Sequence, residues 1–171
     1  APGQPQVSFR SAVLIHNAAG ILLTAFYLWF LFGNLRYGNG RYYRLVSGDL
    51  TFGLLRQARY YLLGIFLGEP HPFPHNAARK FNPMQKMSYL VVMFLLVPPL
   101  ILSGWTLFFP AQLPEIVLGV SGVAFCALAH TYLGFFLSLF MVVHTYLGTT
   151  GETPGELFRL MWLGDAPSHG D

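Results

Sequence analysis

The segment IVLGVSGVAFCALAHTYLGFFLSLFMVVHTYLGTTG, residues 116–151, contains no Lys, Arg, Asp or Glu. It exceeds the roughly 20 residues that cross a bilayer core of about 30 Å. Two further runs share the property, Ser11 to Leu35 and Met87 to Pro114. Over all 171 residues only 10% are charged and 54% are hydrophobic, whereas an ordinary soluble domain carries about 25% charged residues. This argues against a water-soluble monomer and excludes a disordered chain, a disulfide scaffold and, despite a net charge of +3, a nucleic-acid-binding domain. The single cysteine, Cys126, has no partner for an internal disulfide and reads as a small packing residue.

The fold expected is all-α, a transmembrane bundle with spans at about 11–33, 84–109 and 115–148, because a lipid-exposed backbone must satisfy its own hydrogen bonds. Asn82-Pro83 is a cap and first-turn signal for the second span, and Pro98-Pro99 in its middle should kink it. The third span is longer than a bilayer needs, so it should tilt or protrude. Eight of the ten basic residues (Arg36, Arg41, Arg44, Arg56, Arg59, Arg79, Lys80 and Lys86) lie between the first and second charge-free runs. The positive-inside rule then makes loop 34–83 cytoplasmic, with the N-terminus outside and the C-terminus inside. Within that loop, Leu50 to Leu67 mixes Leu, Phe and Tyr with Arg56 and Arg59, the pattern of an interfacial amphipathic helix on the membrane surface or of a helix packed on a soluble partner. Ala1 to Gln6 is Pro-rich, lacks the order of a signal peptide and reads as an exposed tail. Tyr27, Trp29, Trp105 and Trp162 read as aromatic belt residues.

Three of the six histidines, His16, His130 and His144, fall within spans, where an ionisable side chain marks a functional site by default. His130 and His144 are 14 residues apart. Fourteen helical steps close nearly four turns, so both rings project from one face, separated by roughly 21 Å of rise. Two imidazoles on one face at opposite depths suit two stacked haem b groups, since neutral imidazole is a standard axial ligand and a bis-histidine iron serves electron transfer. Zinc would want clustered carboxylate or thiolate ligands that these spans lack. Each of the three histidines is followed four residues later by glycine, at Gly20, Gly134 and Gly148. A missing side chain one turn along the same face leaves room for a flat macrocycle; helix packing is the plainer reading of such glycines. His16 and His130 would clamp an outer haem. His144 would serve an inner one, with no intramembrane histidine to face it. His71 and His75 in the loop read as surface or capping residues, and His169 as solvated.

Leu14-Ile15-His16-Asn17-Ala18-Ala19-Gly20, the run Lys80-Phe81-Asn82-Pro83-Met84-Gln85-Lys86-Met87-Ser88-Tyr89-Leu90 leading to Leu102-Ser103-Gly104, and the His130/His144 pair together resemble the b-type cytochrome membrane subunits of the formate dehydrogenase gamma and thiosulfate reductase cytochrome b group. Arg59-Tyr60-Tyr61-Leu62 with Gly68-Glu69-Pro70-His71-Pro72 resembles the thiosulfate-reductase-like branch. The resemblance implies a single membrane cytochrome b domain over 1–171 that corresponds to family helices two to four. It implies axial ligation by His16, His130 and His144, with the second ligand of the inner haem on the family's first helix. That helix would come from elsewhere in a longer chain or from a separate polypeptide, or the inner haem would be missing.

The expected role is that of a haem b membrane subunit of a respiratory oxidoreductase complex in a bacterial inner membrane. It would carry electrons between menaquinone or ubiquinone and an extracytoplasmic iron-sulfur or multihaem cytochrome c partner, as an electron-transfer subunit and not a stand-alone enzyme. One or two haems are expected, and a quinone pocket near His144, Thr145 and Tyr146. The alternatives are a haem-free membrane anchor or assembly subunit, and a proton or ion pathway, the latter weakened by the lack of any carboxylate in the spans.

Overall fold

A computed structural model of the chain describes residues 8–45, 48–73, 81–149, 155, 158–159 and 162. The proposed tail, His75 and His169 lie outside these. Helix α1 (Phe9–Tyr37) opens with the Ser8 hydroxyl accepting from the Ser11 amide and closes on Gly38, whose φ of 63° ends the helix in the left-handed conformation. A short 3₁₀ turn (Asn39–Tyr43) leads into the loop. Three consecutive helical pieces, Asp49–Gly53, Leu54–Arg59 and Tyr60–Gly64, then form one run, α2. Helix α3 covers Pro83–Leu107, and α4 covers Gly122–Gly148. All three of α1, α3 and α4 are long and apolar enough to span a membrane.

The start of α3 follows its sequence signal closely. Asn82 accepts from the Gln85 amide at 2.8 Å, and the Gln85 side chain accepts from the Asn82 amide at 3.0 Å, a reciprocal capping box with Pro83 in the first turn. At the proline pair, where a kink was expected, the helix changes type. Pro98 and Pro99 each lack a donor for the carbonyl four residues earlier, and the turns before them widen into a π-helical segment, Leu90–Leu96, before the α-helix resumes at Val97–Leu107.

The third span departs from its expected start near 115. Ile116–Val117 and Val120–Ser121 instead pair as an antiparallel hairpin. Its two turn residues, Leu118 (φ 52°) and Gly119 (φ 83°), both take positive φ, as a two-residue turn matched to strand twist requires. Ser121 then caps α4 by accepting from the Ala124 amide at 3.1 Å. Gly122 is fixed at this corner, because a Cβ there would sit 2.1 Å from the Pro114 carbonyl oxygen. Gly122→Ala is therefore expected to destabilise the protein by more than about 1 kcal/mol, read as a fall in the midpoint of thermal unfolding in detergent.

Among the described residues Pro83, Val92 and Val97 are the only buried apolar side chains, while large apolar groups cover the outside of all three long helices. That inversion suits a molecule whose solvent is hydrocarbon. Helix α3 packs mainly on α4. Helix α1 is joined to α3 by Phe30 against Phe94 and by the Trp105 indole N–H donating to the Thr24 hydroxyl at 3.1 Å, so Trp105 links two helices as well as facing outward. Below them Tyr43, Phe81 and Tyr89 form an aromatic cluster with ring centres 5.0–5.9 Å apart.

Helix α2 is amphipathic, with its polar side turned in. Asp49, Gly53, Gln57 and Gly64 are buried, while Leu50, Phe52, Leu55, Leu62 and Leu63 are exposed. Lys86 of α3 reaches Asp49 across this contact at 2.8 Å, with both side chains buried. The Asn82 amide meets the Tyr61 hydroxyl at 3.3 Å. Burial lifts the Tyr61 phenol above its ordinary pKa, with hydrogen bonds opposing the rise. At the end of α2, Arg59 grips the Glu69 carboxylate through two bonds of 2.8 and 2.6 Å, which holds that carboxyl below the usual range. The pair contributes most above the ordinary carboxylate pKa, and its contribution disappears as pH falls through the lowered value. Limited proteolysis near Gly68 should accordingly quicken at acid pH in the wild type and lose this pH dependence in Glu69→Gln.

Candidate functional site

Seven residues into α1 and eight into α4, His16 and His130 come together. Their ring centres are 5.9 Å apart and the rings are nearly perpendicular, at 83°. His130 is half-buried and firmly oriented. Its Nδ1 lies 3.1 Å from the Leu100 carbonyl oxygen and 3.1 Å from the Ser103 hydroxyl. A carbonyl can only accept, so Nδ1 carries the proton and Nε2 is left with its lone pair. The Ser103 hydroxyl lies 2.7 Å from the Pro99 carbonyl, to which it donates, and this leaves its oxygen free to accept from the imidazole. These two carbonyls lie at and just past the proline pair, whose missing N–H groups instead free the Phe94 and Leu95 carbonyls one turn earlier.

Gly104 completes the seat of the ring. A Cβ at that position would approach His130 Cε1 to 3.0 Å, so the imidazole lies directly on the α3 backbone. Gly104→Val is expected to push the ring out of this position and weaken any ligand bond from Nε2 by about 10–100-fold, the range seen when ligand-orienting partners are lost; titration of bound haem against variant protein measures it. Ser103, Gly104 and Leu100 are thus parts of the site that the histidine pattern alone does not name. The signal available was a Ser-Gly pair inside an apolar span, close behind the two prolines.

Does the arrangement suit an iron porphyrin? A metal held between two imidazoles by bonds of about 2 Å, with about 1 Å from each nitrogen to its ring centre, sets the centres about 6 Å apart. The observed 5.9 Å agrees. The donor chemistry agrees too, because a neutral imidazole with Nδ1–H tied to a carbonyl is the usual form of a metal-ligating histidine. Space beside the pair is open: a Cβ at Gly20 would meet nothing within 4 Å, and one at Gly134 only Leu100 Cδ1 at 4.0 Å.

The inner position is less complete. His144 is exposed, stacked on Phe140 of its own helix at 5.4 Å and 19°. Gly148 differs from the other two glycines, because Phe158 occupies the space over it, 3.1 Å from where a Cβ would stand. An opening there requires Phe158 to move. Thr145 and Tyr146 line a shallow groove with Ser138, Met141, Val142 and Thr149, and His144 is not part of its lining. His71 packs on Tyr60 at 4.9 Å and its Nδ1 accepts from the Phe73 amide at 3.2 Å. In the neutral ring that places the proton on Nε2, the reverse of His130, so His71 presents a donor where a ligand would need a lone pair. Cys126 is half-buried and meets the Thr106 hydroxyl at 3.5 Å, in keeping with a packing role.

Comparison with known proteins follows the same direction. The family described as prokaryotic cytochrome b561 matches residues 2–164. The chain is 38% identical over 153 residues to YdhU of Escherichia coli (strain K12), whose name marks it as a candidate cytochrome; the match covers 89% of this chain and 58% of that protein. The chain therefore spans little more than half the length of the curated relative it matches. No solved structure matches it. With nearly its whole length inside the family's bounds, three membrane-spanning helices and an imidazole pair at axial-ligand separation, this chain belongs to the prokaryotic cytochrome b561 family of membrane cytochromes, whose haem b transfers electrons.

Proposed function

We propose that His16 and His130 are the axial ligands of one haem b and that the chain passes electrons between a membrane quinone and a redox partner within a respiratory complex. The observation that carries the reading is the His130 ring, fixed by Leu100 and Ser103 with Nε2 bare, at 5.9 Å from His16. The haem supplies a one-electron couple. This chain's residues hold it, orient one ligand and exclude water from the outer site by packing α3 on α4. Gly20 and Gly134 give the porphyrin its flanking space.

In this reading the whole chain is one cytochrome b domain of the formate dehydrogenase gamma and thiosulfate reductase cytochrome b group, in a bacterial inner membrane. The basic loop 34–83 lies in the cytoplasm and the Pro110 loop outside. His144 is the ligand of an inner haem whose second imidazole comes from another helix, with Gly148 beside it and Thr145 and Tyr146 near the quinone. The partner is an extracytoplasmic iron-sulfur or multihaem cytochrome c subunit. Purified protein in nanodiscs, oxidised and mixed with menadiol, is expected to develop reduced b-type absorption bands. Haem that is present but reducible only by dithionite would remove the quinone half of the reading. A preparation without b-type bands would leave a haem-free anchor.

A further inference from the structure

Between α3 and α4 the chain builds a rigid, apolar projection that the haem site does not use. The 3₁₀ turn Pro110–Gln112 and the hairpin Ile116–Val117/Val120–Ser121 are locked to the start of α4 by the Gly122 amide donating to the Glu115 carbonyl at 3.2 Å. At the tip stands Leu118, which among the described residues is the one non-glycine with positive φ. Turns of this kind favour Asn or Gly at that position, because a Cβ crowds the backbone there. The strained choice presents a leucine that is 88% exposed, beside Ile116 at 71%. Such an outlier points to a use outside the fold.

The geometry points to the hairpin tip as a membrane anchor, with Leu118 and Ile116 set into the headgroup and acyl-chain boundary of the adjoining bilayer leaflet. Continuity decides the occupant. The exposed apolar surface runs from Leu102, Trp105, Phe108 and Phe109 at the end of α3 to the hairpin, broken only by the exposed Glu115, and resumes at Val123 and Phe125 of α4. These helices are the membrane spans, so the same lipid surface that covers them reaches the loop joining them. Glu115 is the one charged residue between Lys86 and Glu152, which leaves little to pair with a polar protein surface. Two apolar side chains at a hairpin tip, next to aromatic rings at the same end of the span, fit the amphipathic boundary layer.

The test is site-directed spin labelling of Leu118→Cys and Ile116→Cys, each in a Cys126→Ala background, in phosphatidylcholine and phosphatidylglycerol nanodiscs. Leu102→Cys serves as the lipid-facing reference. Collision with oxygen at both hairpin sites should match the reference, and collision with an aqueous nickel chelate should fall severalfold below that of free label. Nickel accessibility equal to free label at both sites would overturn the proposal and leave the tip in water. Protection from both reagents would overturn it in favour of a protein contact. Neither outcome bears on haem ligation, which is read separately from the absorption spectrum of the same samples.

Discussion

Replacing His130 with alanine should abolish haem binding at the outer site. The ring is held by three features of α3, the Leu100 carbonyl, the Ser103 hydroxyl and the bare Gly104 backbone, and it faces His16 at the separation two axial ligands require. In the proposed site its removal would delete one of the two axial iron–nitrogen bonds together with the group that α3 is shaped to seat. His16→Ala is expected to do the same from the other side. The pattern of graded variants distinguishes this from general instability. Ser103→Ala should retain the site with affinity reduced by about 10–100-fold, and His144→Ala should leave the outer haem in place. Haemochrome assay of protein purified in mild detergent measures all four.

A second large effect is expected at the opposite end of α3. Lys86→Met leaves the Asp49 carboxylate buried with its ammonium partner gone, and breaking a buried pair in this way typically costs about 3–5 kcal/mol. The loss should appear as early, separate unfolding of α2, because Asp49 sits at the first turn of that helix while Lys86 lies beside the capping box of α3. Hydrogen exchange of residues 54–64, followed by mass spectrometry, should rise while α3 and α4 stay protected. Asp49→Leu combined with Lys86→Met should recover most of the stability, since an apolar pair of similar volume removes the stranded charge. Equal exchange in the single variant and the wild type would show that the ion pair does not hold α2.

The membrane spans, the Asn82-Pro83 start of α3 and the His130/His144 pair were legible in the sequence because each depends on neighbours in the chain: charge-free length, a cap next to a first-turn proline, and a fourteen-residue spacing of one ring type. What escaped depends on contacts between distant segments or on an unusual choice of residue. Ile116 to Val120 read as more membrane span because nothing in Ile-Val-Leu-Gly-Val announces a turn, and a leucine at positive φ is the reverse of the usual signal. The amphipathic character of residues 50–67 was visible, whereas its polar side facing inward follows from Lys86, 37 positions away, meeting Asp49. Pro98-Pro99 located a distortion in α3 but not its π-helical form. The seat that Leu100, Ser103 and Gly104 form for His130 emerges only from the packing of α3 against α4.

A single iron held by two imidazoles from different helices would carry a distinctive magnetic signature. Its most direct measurement is electron paramagnetic resonance of the oxidised, purified protein. With ring planes near 83° to one another, a strongly anisotropic low-spin ferric signal is expected, which disappears in both His16→Ala and His130→Ala and persists in His144→Ala. Survival of that same strongly anisotropic signal in either of the first two variants would overturn ligation by His16 and His130.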